Sequence, residues 1–146
     1  MNEDAASHKA HRNSFKLQPL HFQHMASTKQ HIVIGAAVVA LADVFKQVIQ
    51  MRLDPSRRFS WGELAASAAL GGIVGVLPDA LEPATSPNHR QFFHSVVFGY
   101  GVFYATHGPH TDDFDGETRA TVRMAGYAYL SHLGADALTP RGIRWV

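Results

Sequence analysis

The sequence predicts an all-α protein, a single bundle of about four helices around an apolar, Gly- and Ala-rich interior. Three observations point there. Strand-like alternation of apolar and polar residues is absent, and no internal repeat is visible. Apolar stretches recur at Ile32 to Leu41, Leu64 to Leu77 and Val96 to Ala105. Residues that start or stop helices punctuate the chain between them.

Residues 1–27 hold scattered apolar side chains and the histidines His8, His11, His21 and His24, but no helical stripe, and read as a disordered extension. Met25 would also serve as a start, and the leader lacks the continuous apolar run of a secretory signal. The domain proper is expected over residues 28–146. Its first helix runs from about Thr28 to Met51, with Ser27 or Thr28 as N-cap. The polar segment around Pro55 reads as a turn. Ser60 and Glu63 form a Ser-x-x-Glu capping pattern that opens a second helix through Leu77. Pro78 and Pro83 bracket a break holding Asp79 and Glu82, followed by a loop over residues 84–88. A third helix is expected from His89 or Arg90 to about Ala105, ended by Gly108-Pro109. The acidic stretch Thr111 to Glu117 reads as a loop, and a fourth helix runs from about Thr118 to Leu138 before Thr139-Pro140.

A length of 146 residues suits one domain with a genuine core. Charged residues make up only 17% of the chain, a lower polar load than the roughly 25% of an average globular chain. The net charge of +1 gives no reason to expect a nucleic-acid surface. Cysteine is absent, which excludes disulfides and thiolate metal sites and leaves imidazole and carboxylate as ligands. No window reaches the ~18 uninterrupted apolar residues expected of a spanning helix. The preferred reading is therefore a soluble bundle, with shallow or peripheral membrane association as the alternative.

Three blocks within about fifty residues place histidine and carboxylate at metal-ligand spacings inside apolar sequence: Pro78 to Pro83, His89 to Ser95, and Ser131 to Asp136. Buried charges of this kind are costly unless compensated, and a shared divalent cation would compensate them. His132 and Asp136, at i and i+4, project from one helix face, although such a pair is also an ordinary surface contact. His89 and His94 lie about 140° apart on an ideal helix. They converge only if His89 sits at the N-cap or before it; otherwise one caps the helix and the other is a core histidine. Asp79 and Glu82 either turn back towards the bundle centre or are solvated turn residues. His31, at the start of an apolar helix, reads by itself as a capping or surface residue, and Asp43 is a second inward-polar candidate. Arg90 suits a phosphate clamp or an ion pair with Glu82. Asp113, Asp115 and Glu117 lack calcium-loop spacing and read as a solvated loop, together with His107 and His110. Ser95 has no nucleophile elbow around it.

Taken in order, these motifs resemble the YdjM-like family of metal-dependent hydrolases, often described as inner-membrane-associated. The resemblance lies in His31 to Gly35, Leu77-Pro78-Asp79, His89-Arg90 with His94-Ser95, and Gly126-Tyr127 followed by His132, Asp136, Thr139 and Gly142. It covers roughly residues 28–146. This chain has Leu81 where the family often carries a second Asp, with Glu82 next to it. The resemblance implies a bacterial hydrolase, cytoplasmic or peripheral to the inner membrane.

The leading expectation is a zinc-type hydrolase of a phosphoester or related ester, small or lipid-like, with manganese or iron as alternative metals. The expected ligands are Asp79, His89, His94, His132 and Asp136, with Glu82 and His31 as further members. So many ligands exceed the four of one zinc site, so one or two ions are expected. Glu82, if not a ligand, is the expected general base, and Arg90 or Arg141 the oxyanion clamp. The alternatives are a non-catalytic, metal-stabilised helical protein bound to a membrane or partner, and a metal-free histidine network.

Overall fold

The computed structural model describes residues 27–83, 92–139 and 142–145. It is all-helical, as expected, with one isolated bridge between Ser95 and Arg144 in place of any strand among the described residues. The helices are α1 (Thr28–Leu53), α2 (Trp61–Val74), α3 (Leu77–Leu81), α4 (Val96–His107) and α5 (Gly116–Ala137), with a 3-10 turn at Pro109–Asp113 before α5. The expected 1–27 extension and the loop that includes His89 and Arg90 lie outside the described residues, except for Ser27.

Local caps set most of the helix starts. Ser27 and Gln30 exchange hydrogen bonds in a full capping box at the head of α1. Ser60 caps α2 through the Glu63 amide, while the Glu63 side chain turns away to Lys46 and Arg57. Asp115 accepts from the amides of Glu117 and Thr118, so α5 begins two residues before the expected Thr118.

Two elements differ from expectation. The second helix stops at Val74, because Gly75 caps it and Pro78 has no N–H to continue the ladder; a separate short turn, α3, then carries Asp79. α4 begins at Val96 and not at His89 or Arg90. Ser95 caps it, and the tail carbonyls of Arg144 and Trp145 accept from the amides of Val96 and Val97 at 2.8 and 3.2 Å. His94 therefore sits in the turn before the helix.

α1 packs against α2 and α5, and α5 also contacts α4, α2 and α3. Glycine brings α1 and α2 together: a Cβ on Gly35 would land on the Gly71 carbonyl, and one on Gly75 would meet the Gly35 Cα at 3.1 Å. Gly71 and Gly75 form a G-x-x-x-G step of the kind that lets helix backbones touch. The Gly- and Ala-lined interior is present, but its apolar core is small, centred on Val39, Met124 and Ala128. Of the ten largest fully buried side chains only Val39 and Pro78 are apolar.

The bulky apolar residues stand outside instead, among them Val33, Leu41, Phe45, Ile49, Trp61 and Tyr100. Thr28–Leu53, and Trp61–Leu81 when α2 and α3 are taken as one stretch, are long and apolar enough to cross a membrane. The sequence reading missed this because Asp43 and Lys46 interrupt the apolar run of α1. In three dimensions Asp43 belongs to the buried stripe His31, Gly35, Val39, Asp43, Gln47, and Lys46 turns to meet it, so the outer face stays apolar.

Candidate metal centre

The first turn of α1, α3, the turn before α4 and the last two turns of α5 meet at one end of the bundle. His31, His94, His132 and Asp136 are each completely buried there, and the Asp79 side chain is 19% exposed. Asp79 and Glu82, the latter 12% exposed, are thus the members through which the cluster reaches the outside.

Two of the imidazoles are aimed by hydrogen bonds at Nδ1. The break after α2 leaves the Gly75 carbonyl beside His132 Nδ1 at 2.8 Å, so Nδ1–H donates there and Nε2 points into the cluster. Glu82 performs the same task for His94: its Oε2 accepts from Nδ1 at 3.0 Å, while its Oε1 accepts from the Phe92 amide at 2.8 Å. The turn carrying His94 is held by Tyr129, whose hydroxyl donates to the Phe93 carbonyl at 2.8 Å, and by a Phe92–Phe93–Phe98 ring cluster. His31 stacks on His132 with ring centroids 3.7 Å apart, and neither of its ring nitrogens makes a hydrogen bond among the described residues.

The ligating atoms fall into two overlapping sets. His94 Nε2 and His132 Nε2 are 3.1 Å apart, and Asp136 Oδ2 lies 3.7 Å from the first and 3.3 Å from the second. Asp79 Oδ1 joins them at 3.4 and 3.7 Å. Two nitrogens bound tetrahedrally to one zinc at ~2.0–2.1 Å stand about 3.3 Å apart, so this spacing suits a shared ion. The other oxygens of the same carboxylates face His31: Asp136 Oδ1 at 3.5 Å and Asp79 Oδ2 at 4.0 Å from its Nε2. Both carboxylates therefore span from the His94–His132 pair to His31, the disposition of bridging ligands. The groups His94, His132, Asp136 and His31, Asp79, His132 each place one donor atom apiece within 4.8 Å of one another.

The carboxylates act strongly on the imidazole they surround. Burial disfavours a charged His94, but its hydrogen bonds to Asp79 and Glu82 and the charges of Asp136 and Asp79 outweigh that and hold its pKa above the ordinary imidazole value. Burial likewise works against the charged Glu82, yet hydrogen bonds from His94 and the amides of Phe92 and Phe93 hold its carboxyl below the usual range. Three carboxylates share this end with three imidazoles. An imidazole and carboxylate donor set without sulfur suits zinc, manganese or iron, and the nitrogens of His31, without a hydrogen bond among the described residues, fit a ligand role.

The structure thus brings together Asp79, Glu82, His94, His132, Asp136 and His31, the last despite its reading as a capping residue. His89, Arg90 and Arg141 lie outside the described residues. Asp43 belongs to a separate network further along α1. Ser95 Oγ is engaged in capping, donating to the Phe92 carbonyl and accepting from the Phe98 amide. His110 Nε2 lies 2.9 Å from the Ala105 carbonyl and, like His107, takes no part in the cluster. Sequence reasoning missed the Gly75 carbonyl and Tyr129. The proline three residues after Gly75 signals a helix break, and Tyr129 shares a helix face with His132.

No curated protein and no solved structure matches the chain significantly. A family model described as YdjM inner membrane protein matches residues 25–146, the span that carries every described member of the cluster, and the chain belongs to that family.

Proposed function

We propose that this protein is a bilayer-embedded, metal-dependent hydrolase of phosphoesters in the inner membrane. The convergence of His31, Asp79, His94, His132 and Asp136 at mutual distances of 3.1–4.0 Å carries the reading. His94, His132, Asp136 and Asp79 would hold one ion, and His31 with the second oxygens of Asp79 and Asp136 another. When bound, such ions supply positive charge for a phosphoryl oxygen and bring the pKa of a water towards about 7.

The chain's own residues do the positioning. Gly75 and Glu82 fix the protons of His132 and His94 on Nδ1, which keeps both Nε2 atoms available as donors. That use of Glu82 supports an orienting role in place of the general base expected from sequence. The partly open Asp79 marks the side on which a substrate approaches. Hydrolysis adds one water across the ester: a P–O bond to the water oxygen forms, the P–O bond to the alcohol breaks, and the alcohol leaves with a proton from that water.

The apolar outer faces of α1 and α2 support a membrane location over a cytoplasmic one. Full burial of four of the five ligands favours a second reading, in which the metal only ties the helices together. Elemental analysis of protein purified without a polyhistidine tag, with phosphodiester assays in added zinc or manganese, separates the two. Bound metal with hydrolysis that is lost in Asp136→Ala is the expected result. Metal retained without turnover on any ester favours the structural reading, and no metal after reconstitution overturns both.

A further inference from the structure

We infer that the substrate of this centre is a membrane phospholipid, one acyl chain of which lies in the groove between α1 and α5; this rests on the hydrolase reading above. The groove has a volume of about 510 Å³ and is lined by Lys29, Val33, Ile34, Ala135, Leu138 and Thr139 among others. That volume is in the ~300–1,000 Å³ range of small-molecule sites.

Its position ties it to the cluster. Val33 and Ile34 follow His31 by less than a turn, and Ala135 directly precedes Asp136. The groove therefore runs along the outside of the two helices whose inner faces carry His31 and Asp136. A smaller apolar groove of about 320 Å³, lined by Val96, Gly99, Phe103, Leu130 and Leu133 among others, flanks the other side of α5. Apolar channels on both sides of the ligand-bearing segment suit a lipid with two chains.

Three observations select a lipid over another apolar occupant. Val33 and Leu138 of the groove stand 66% and 90% exposed, so its walls are continuous with the apolar outer face of α1. α1 has 26 residues. At ~1.5 Å per residue that is about 39 Å, longer than a ~30 Å hydrocarbon core, which leaves its terminal turns at the headgroup level. His31 and Lys29 are in that first turn. Among the described residues lining the groove Lys29 alone is charged, and an ammonium there matches a lipid phosphate.

The test uses the full chain, loaded with zinc or manganese in detergent micelles. Hydrolysis of dipalmitoyl phosphatidylglycerol is compared with dibutyryl phosphatidylglycerol and with bis(p-nitrophenyl) phosphate. The long-chain lipid is expected to react at least about tenfold faster than the short-chain one. Val33→Trp, which fills the groove, brings that ratio towards unity, whereas Leu41→Trp, further along the same helix, leaves it unchanged. Independently of turnover, a diazirine-tailed phosphatidylglycerol added to the metal-free protein is expected to crosslink residues 29–34 and 135–139 in preference to residues 41–45. Equal rates on long and short chains with the soluble diester cleaved, or crosslinks spread evenly over the helices, overturn the lipid assignment and leave the hydrolase standing. No cleavage of any phosphoester by metal-loaded protein overturns the hydrolase reading and the lipid assignment with it.

Discussion

α1 buries charge at both ends of one stripe, and the two ends solve the problem differently. Towards its C-terminus, Asp43 forms an ion pair with Lys46 at 2.7 Å and accepts from Gln47 at 2.6 Å. Gln47 also exchanges two hydrogen bonds with the Ser60 backbone, and Glu63 is met by Lys46 and Arg57. Anions and cations are matched there by side chains of the protein itself. Towards its N-terminus, the partners described for Asp79 and Asp136 are imidazoles, and Glu82 holds the His94 ring together with the Phe92 amide. The first end pairs its carboxylates with lysine and arginine; the second gathers carboxylate and imidazole atoms of the kind that ligate a divalent cation. Burial alone does not separate the two ends, and the chemistry of the partners around each carboxylate does.

The largest expected effect tests that contrast directly. Asp136→Ala removes an oxygen from each side of the cluster and is expected to weaken metal binding by more than about 100-fold, beyond the loss typical of an outer residue. Asp43→Ala is expected to leave metal content unchanged while lowering stability. Metal analysis of both variants checks the pair, and equal metal loss would erase the distinction between the two ends. His31→Ala sharpens it further: the stoichiometry is expected to fall from two ions to one, because His31 serves only the second set of donor atoms.

Glu82→Gln comes next. The amide can still accept through its oxygen, but the charge that orients His94 is gone, and a loss of about 10–100-fold in metal affinity is expected. A competitive chelator titration reads it. Lys46→Met follows, on the other end. It leaves Asp43 fully buried with its cation removed, at a cost of about 1–3 kcal/mol seen as earlier thermal unfolding with unchanged metal affinity.

These two ends were unequally legible in the sequence. His132 and Asp136 could be paired because a helix repeats every 3.6 residues, and Ser27 and Ser60 announced their helices because caps are local. His31 could not be read as buried, since its environment is made by Gly75, Asp79, His132 and Asp136 from distant stretches. The start of α4 was misplaced for the same reason: the carbonyls that complete its cap come from Arg144 and Trp145. The membrane length of α1 was hidden by Asp43 and Lys46, whose mutual pairing no linear scan of hydropathy sees.

The smallest expected effect concerns the scaffold beneath the cluster. His94 is held twice, by the Glu82 carboxylate at its own ring and by Tyr129 through the Phe93 carbonyl one residue before it. Tyr129→Phe removes only the hydroxyl, leaving the ring packed beside Phe98, so a loss of about 0.5–1.5 kcal/mol in stability is expected. Because Glu82 still aims the ring, metal affinity should fall by less than in Glu82→Gln. If Tyr129→Phe instead released metal as strongly, the orientation of His94 would depend on the backbone turn more than on its carboxylate partner. The metal-binding end would then be one rigid unit with the α4 cap and the tail, and α4 would have to be in place before the site could load.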